Sequence, residues 1–334
     1  MNKQLASKAH GGVAATATTL RTWVHASAAT AFALSGTVIQ VAGAAEADSG
    51  IEEVIVTAQR REQDLQQVPV AVTALTSQAL ERAQVESLQD YAALVPNFKA
   101  TNYGTPGESD VSIRGVTNIG GQSSSIAVYN DEFGVNEFDF DLYDVERIEV
   151  LRGPQGTLFG RNTIAGAVNI VYKKPIETFE AAVDLDASSY GTYKGSGMIN
   201  VPLSDSIFMR VSGSYGESDG YLKDVGPARA SDDYTNQSVR LALRGKFDKL
   251  TLDLSVAHSN IEQGVPTAVP TGVLTPVAGG VIGSPINDGQ GFFPSNTRRI
   301  ATDQPTNSDY KYDTGILRAT YEFDGVNLVV IGGQ

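Results

Sequence analysis

The sequence predicts an α+β domain followed by a transmembrane antiparallel β-barrel, and three observations lead to this prediction. Residues 69–175 mix helical and strand patterns within a compact length. From Phe179 onward, apolar and polar residues instead alternate with a period of two, which is typical of half-buried strands. The turns between these later segments are short at one end and long at the other, as they are in membrane barrels.

Composition excludes several other classes of protein. With 41% hydrophobic residues in 334, the chain is not wholly disordered, and no run of about 18 apolar residues predicts a membrane helix. The net charge of −13, from 38 acidic and 25 basic residues, disfavours binding to nucleic acid, which needs basic surfaces. Because the chain has no cysteine and 3 histidines (His10, His25 and His258), we expect no metal site, no cofactor and no catalytic centre.

Residues 1–45 have the pattern of an export signal peptide. Basic residues without acidic ones come first, an Ala-rich apolar stretch covers 26–41, and small residues follow at 41–45. Cleavage is expected after Ala44, Ala45 or Ala47. The alternative is a disordered tail rich in Ala and Thr.

Residues 46–68 form a polar connecting segment that contains one short apolar stretch. Val54–Ala58 are apolar or β-branched, and they are flanked by Glu52, Glu53 and a polar run at 59–67. Such residues favour strands, and no complementary strand pattern lies nearby. The sequence therefore predicts an isolated short strand on a polar tether.

Residues 69–175 contain two helical patterns and several strand patterns. Ser87 with Asp90 three residues later matches a helix capping box, and the glycines between 153 and 166 predict a loop. Helices are expected at about 76–83 and 87–95. Strands are expected at 68–74, 110–116, 125–129, 145–151 and 167–172.

Residues 176–334 contain seven alternating segments of strand length, at 179–187, 195–203, 207–215, 239–247, 250–256, 317–323 and 326–330. Arg210, Arg240 and Arg318 lie on the polar phase, and an Arg that faces lipid at midplane costs roughly 2–4 kcal/mol. We therefore expect this face to line a wet lumen or to meet the preceding domain. An odd strand count leaves an open edge, which hydrocarbon does not tolerate, so we expect the sequence to be part of a longer protein.

Four stretches resemble the TonB-dependent outer-membrane receptor family, and together the resemblance covers roughly residues 50–334. They are Glu53–Ala58, Ile113-Arg114-Gly115, the long run Val145–Thr163 and Ala165–Ile170. The resemblance implies a signal peptide at 1–45, a TonB box and linker at 46–68, a plug domain at 69–175 and the first part of the barrel at 176–334. Barrels of this family have 22 strands, so the seven found here would be about a third.

The resemblance implies an activity, a location and partners. It implies active transport across the outer membrane of a Gram-negative cell by a monomer in contact with outer-membrane lipid. TonB, energised with ExbB and ExbD, would take the TonB box by β-augmentation, in which an extended segment adds a strand to a sheet edge. The TonB-binding residues would be Glu53, Val54, Ile55, Val56, Thr57 and Ala58.

The resemblance also implies two further sets of site residues. Arg114, Glu149 and Arg152 are candidates for ion pairs between plug and barrel, although they could equally be surface pairs. The substrate would bind at loops on top of the plug, with Tyr103, Asn118, Gln122 and Asn136 as candidate contacts. An iron–siderophore complex is the expected substrate, and cobalamin, carbohydrate or another chelate is the alternative.

Other functions have weaker support in the sequence. An outer-membrane lipase would need His258 as its catalytic base. The acidic stretch 139–146 lacks the spacing of a calcium loop, and the glycines of 153–160 lack the Lys of a phosphate loop. A signalling receptor of the same fold would carry an additional domain before Glu52.

Overall fold

The computed structural model describes residues 54–57, 60–61, 63–102, 109–118, 125–135, 138, 141–224, 232–264, 275–277, 280–282, 298–300 and 307–334. All of these belong to one compact unit, Glu52–Gln334. The predicted signal peptide, residues 1–45, lies outside the described residues, and so do five predicted site residues: Glu53, Ala58, Tyr103, Gln122 and Asn136. Within the described part, no helix has the length and apolar character needed to cross a membrane.

The first part of the chain consists of short strands and helices. The strands are β1 (Ile55–Val56), β2 (Gln63–Asp64), β3 (Val72–Thr76), β4 (Phe98–Asn102), β5 (Ser109–Ile113), β6 (Val116–Asn118), β7 (Ile126–Asn130), β8 (Phe133–Val135), β9 (Val145–Arg152) and β10 (Gly166–Tyr172). The helices are α1 (Ser77–Arg82), α2 (Leu88–Leu94) and α3 (Gly156–Phe159), with a 3₁₀ helix at Leu65–Gln67. The predicted capping box at Ser87 and Asp90 is confirmed, with both reciprocal bonds present.

A five-stranded sheet forms the centre of this first part, with the order β3-β9-β10-β7-β8. Strands β10 and β7 are parallel, and the other neighbours are antiparallel. Every residue of the central strand β10 is buried, which explains its nearly continuous apolar sequence. Gly166 opens this strand because a Cβ there would lie 2.2 Å from the Leu151 carbonyl oxygen.

The second part of the chain is a seven-stranded antiparallel sheet, which we call the wall. Its strands are β11 (Glu180–Ser188), β12 (Thr192–Pro202), β13 (Ile207–Ser218), β15 (Tyr234–Phe247), β16 (Leu250–Gly264), β20 (Asn307–Phe323) and β21 (Val326–Gly333). Between them lie the short strands β14 (Lys223–Asp224), β17 (Thr275–Val277), β18 (Gly280–Ile282) and β19 (Arg299–Ile300). The seven predicted strands are thus confirmed, and each pairs with its neighbour in the chain order of the wall.

Several wall strands are longer than predicted, and β16 and β20 exceed their predicted lengths the most. Strand β16 continues to Gly264 and β20 already begins at Asn307, whereas the sequence predicted 250–256 and 317–323. The apolar alternation stops at about residue 257 in β16 and begins near residue 315 in β20, although the hydrogen-bonded ladder continues from Gly264 to Asn307. Periodicity therefore reports where one face is apolar, and it misses polar strand extensions.

The wall has two unlike faces. The inner face packs on the first part of the chain and carries buried residues such as Phe208, Arg210 and Ile316. The outer face carries exposed apolar residues in register on neighbouring strands, for example Leu254 opposite Leu317 and Tyr321 opposite Leu328. This division agrees with the prediction that the arginines face the preceding domain.

Candidate functional site

The predicted TonB box begins a hairpin that folds back on itself. Strand β1 pairs antiparallel with β2, with Ile55 opposite Asp64 and Val56 opposite Gln63. The Leu65 amide also donates to the Val54 carbonyl at 2.9 Å. The prediction of a strand without a nearby partner is therefore wrong. Two-residue strands have no measurable period, so the polar residues of β2 gave no sign of strand structure. We call residues 54–67 the coupling segment.

The side chains of Val56 and Thr57 anchor the coupling segment to the five-stranded sheet. Val56 is fully buried in a cluster with Tyr129, Leu151 and Phe159. The Thr57 amide donates to Glu149 Oε1 at 2.8 Å, and the Thr57 hydroxyl donates to Glu149 Oε2 at 3.0 Å. The segment is thus docked by both apolar burial and charge-assisted hydrogen bonds.

Glu149 is a buried carboxylate at the centre of a polar network. Its side chain is 0% exposed, and Arg147 Nε donates to its Oε1 at 2.8 Å. Asn169 Nδ2 donates to the Thr57 hydroxyl at 3.1 Å and so closes the network. A buried charge of this kind is tolerated only when it is paired and hydrogen-bonded. All of these partners lie in the coupling segment or the five-stranded sheet.

Arg60 provides a third attachment of the coupling segment. Its guanidinium lies 5.2 Å from the ring centre of Tyr129 and 4.7 Å from that of Phe159, within the range of cation–π attraction. Arg60 Nη1 also donates to the Glu132 carbonyl at 2.9 Å. Burial raises the pKa of the Tyr129 phenol, and the Arg60 charge opposes this shift only in part.

Three largely buried ion pairs join the wall to acidic residues of the first part, and we call them the seam; Lys194 and Glu86 form a fourth, more exposed pair. Arg210 makes a bidentate pair with Asp144 at 2.6 and 2.7 Å. The other two pairs are Arg240–Asp131 at 2.9 Å and Arg318–Glu132 at 2.8 Å. The arginines were expected on this face from the alternation. Their partners were missed, although the acidic pair after strand β7 is a signal that could have found two of them.

The residues predicted to join plug and barrel make their described contacts elsewhere. Arg152 donates from its backbone amide to the Ala71 carbonyl at 2.9 Å, and the Arg114 amide donates to the Asn97 carbonyl at 2.9 Å. The Arg114 guanidinium lies beside Gly153. Together with Glu149, these residues contact the first part of the chain, and their pairing with the barrel stays a prediction.

The candidate substrate residues are not brought together by the described residues. Asn118 ends strand β6, where its backbone lies opposite Val111. Tyr103, Gln122 and Asn136 lie outside the described part. A substrate site on these four residues therefore also stays a prediction.

A charged cavity of about 590 Å³ is lined by residues of both the seam and the coupling segment. Its lining includes Thr57, every seam residue except Asp144, and the pair Arg244–Asp253, whose Nε and Oδ1 lie 2.6 Å apart on neighbouring wall strands. Such a charged lining favours water. No group of three or more His, Cys, Asp or Glu residues suited to a metal ion occurs in the described part.

Comparison with known proteins identifies the first part of the chain. Residues 64–167 match the family model of the TonB-dependent Receptor Plug Domain. The vitamin B12 transporter BtuB of Vibrio vulnificus (strain CMCP6) is 27% identical over 177 residues, which are 52% of this chain and 29% of BtuB.

Solved structures share the fold of both parts. The ferric yersiniabactin uptake receptor FyuA from Yersinia pestis matches 76% of this chain with a TM-score of 0.61 and 21% identity, over 39% of FyuA. The ferric-catecholate import receptor Fiu from E. coli K12 matches 82% of this chain with a TM-score of 0.62 and 18% identity, over 40% of Fiu. The chain thus spans less than half the length of these relatives. Its first part is thus a plug domain of the TonB-dependent receptor type, and its barrel-like wall shares the fold of these outer-membrane receptors, which are not enzymes.

Proposed function

We propose that the chain is part of a TonB-dependent active transporter whose plug is moved by TonB acting on residues 53–58. The observation that supports this most directly is the ionic character of the contact between plug and wall. The three pairs of the seam and a charged cavity lie between the two, and water solvates charged groups that are released from such contacts. A plug held in this way can shift without uncovering a large apolar surface.

The outer face of the wall supports contact with outer-membrane lipid. On strand β15, the outward residues from Phe247 to Val239 span eight steps, or about 26 Å along the strand. A tilt of roughly 40° reduces this to about 20 Å, close to the apolar height of about 25 Å in outer-membrane barrels. Above Val239 the outward residues are polar, beginning with Gln237. The band therefore has an upper limit, as a lipid-facing surface requires.

The coupling segment supports TonB as the partner, with ExbB and ExbD as the source of energy. Binding by β-augmentation needs an extended segment with a free edge. Ile55 and Val56 are extended, but one edge is paired with β2 and the Val56 side chain is fully buried. TonB capture would therefore follow undocking of residues 54–57. The predicted ion pairs of Arg114, Glu149 and Arg152 with the barrel would act on the same plug.

An iron–siderophore complex is the substrate that we propose first. FyuA and Fiu, whose folds are similar, are named as ferric yersiniabactin and ferric-catecholate receptors. On the loop side of the wall, Arg298 Nη1 donates to the Tyr190 hydroxyl at 2.9 Å, and Tyr221 packs edge-on against Tyr190. Aromatic rings beside a guanidinium suit an anionic aromatic chelate. Tyr103, Asn118, Gln122 and Asn136 would supply the plug side of this site.

Cobalamin is the second candidate substrate. The sequence similarity to BtuB, which is named as a vitamin B12 transporter, supports it. Uptake of a panel of labelled ferric chelates and of labelled cobalamin by cells that express the complete receptor distinguishes the two. Siderophore cargo predicts saturable uptake of a ferric chelate only, and uptake of cobalamin alone would replace it.

Deletion of residues 53–58 tests the transport mechanism. In the complete receptor, we expect energised uptake to be abolished while the affinity for the ligand is unchanged, because the deleted segment contains none of the candidate substrate residues. A strain without TonB is the matched control and should show the same defect with the intact receptor. Uptake at the wild-type rate after the deletion would refute the coupling role.

A further inference from the structure

Glu132 is the residue at which the wall and the coupling segment meet. Its carboxylate accepts a hydrogen bond from Arg318 Nη1 on wall strand β20 at 2.8 Å. Its backbone carbonyl accepts one from Arg60 Nη1 at 2.9 Å, and its amide donates to Asn169 Oδ1 at 3.1 Å. The Glu132 side chain is only 5% exposed. One residue thus contacts the wall, the plug sheet and the coupling segment.

The backbone at this position is strained in a way that demands an explanation. Asp131 and Glu132 form the two-residue turn between β7 and β8, with φ angles of 47° and 68°. Turns of this type strongly favour Asn-Gly, because L side chains rarely adopt positive φ. Here the two positions instead carry Asp and Glu, whose carboxylates pair with Arg240 and Arg318. The two ion pairs with the wall thus offset the energetic cost of the positive φ angles.

The other end of the contact leads directly to the docked strand β1. Arg60, which donates to the Glu132 carbonyl, lies against the rings of Tyr129 and Phe159. The same two rings help to bury Val56. Arg60 therefore contacts the same two rings as Val56, whose burial keeps the coupling segment docked.

We propose that Glu132 is a positioning residue that makes docking of residues 54–57 dependent on wall strand β20. While Arg318 pairs with the Glu132 carboxylate, the Glu132 carbonyl accepts the hydrogen bond from Arg60. Arg60 in turn keeps the rings of Tyr129 and Phe159 packed against Val56. When the contact of Arg318 is lost, the strained turn relaxes and the coupling segment undocks more often. The role of this regulation in transport rests on the proposed function, whereas the link between Arg318 and docking is a property of the fold.

Through this link, a displacement on the loop side of the wall can also change the docking of the coupling segment. Strand β20 runs from Asn307 to Phe323, and Tyr312 in its upper half packs against the plug core. Arg318 and Tyr312 belong to the same strand, so a displacement of β20 would move both. A displacement of β20 above the plug would thus affect residues 54–57 through the single ion pair Arg318–Glu132.

Cysteine labelling of the complete receptor in detergent tests this proposal. The chain has no native cysteine, and Val56 is 0% exposed, so a Val56→Cys reporter reacts with a maleimide only when the segment undocks. Adding Arg318→Gln should raise the labelling rate about tenfold, the change expected when a buried hydrogen bond to a charged group loses its partner. The matched control is Arg244→Gln, which removes an arginine of the same cavity whose partner Asp253 lies on the wall. It should leave the rate within about twofold.

A second reporter makes each outcome decisive. Val168→Cys on strand β10 is also 0% exposed but does not belong to the cluster around Val56. Selective acceleration at position 56 supports the proposal. Equal rates for Arg318→Gln and Arg244→Gln would overturn it, and so would equal acceleration at 56 and 168, which would indicate general loosening. The assay contains no TonB, so its result is separate from that of the uptake test.

Discussion

At the scale of single residues, the structure uses buried charge where the sequence suggested surface charge. The alternation around Val145–Leu151 predicted a strand, and this strand is β9. Nothing in that pattern indicated that Glu149 would be fully buried, because its partners Thr57 and Asn169 come from distant parts of the chain. Local sequence reports the strand, whereas the tertiary neighbours decide the role of the charge.

The buried network predicts unequal effects for its two members. Glu149→Ala should lower the free energy of unfolding by roughly 3 kcal/mol, because Arg147 and the Thr57 groups lose a buried charged partner. Thr57→Ala should cost only about 1 kcal/mol, since it removes a hydroxyl. Calorimetric unfolding of the receptor in detergent measures both. Equal losses would show that Glu149 does not carry the network.

Tyr172 predicts a dependence of stability on alkaline pH. Burial, aided by nearby Asp141, raises the pKa of the Tyr172 phenol well above its ordinary value of 10.0. The folded state therefore favours the neutral phenol, so the stability it contributes is intact below pH 10 and is lost above it. Tyr172→Phe should cost about 1 kcal/mol at neutral pH, because the bond to the Asp141 carbonyl is lost. It should also flatten the fall in stability at alkaline pH. An unaltered alkaline slope in Tyr172→Phe would contradict this assignment.

At the scale of elements, prediction succeeded wherever one periodicity or one cap dominates. The capping box of α2 and the wall strands are examples. The hairpin of β1 and β2 was missed because two-residue strands leave no period, and the upper part of β20 was missed because both of its faces are polar. Elements defined by their neighbours alone are therefore outside the reach of local pattern.

Gly166 gives a test of how closely β9 and β10 pack. Gly166→Ala should destabilise the plug by about 1–3 kcal/mol, because a Cβ would overlap the Leu151 carbonyl and force the strands apart. Gly156→Ala in α3 is the matched control, since nothing lies within 4 Å of a Cβ there. Denaturant unfolding measures the pair. A neutral Gly166→Ala would mean that the strands have room to separate.

At the scale of the whole molecule, the predicted fold class, family and outer-membrane location are confirmed by the plug match and by the similar receptor folds. The alternation was sufficient to separate the two faces of the wall. It was not sufficient to find the seam, because a seam joins two parts whose relative position no single segment encodes. Asp144, Asp131 and Glu132 all lie in turns with positive φ, which only the folded chain reveals as contact points.

The two-faced wall predicts a dependence on depth for charges on its outer face. Leu254→Arg, within the apolar band, should lower the stability of the membrane-inserted receptor by roughly 2–4 kcal/mol. Asn260→Arg on the same strand and face, but above the band, should cost at most about 1 kcal/mol. Folding into lipid vesicles in denaturant measures the difference. Equal costs at both positions would argue against a lipid-facing band.

The most direct test of the account is whether the periplasmic domain of TonB binds residues 53–58. Titration of that purified domain into the complete receptor in detergent, with ligand present, should show saturable binding that is lost when residues 53–58 are deleted. Arg318→Gln should strengthen the binding, because it releases the docked segment. Unchanged affinity after the deletion would contradict the account, since TonB would then hold the receptor at some other place.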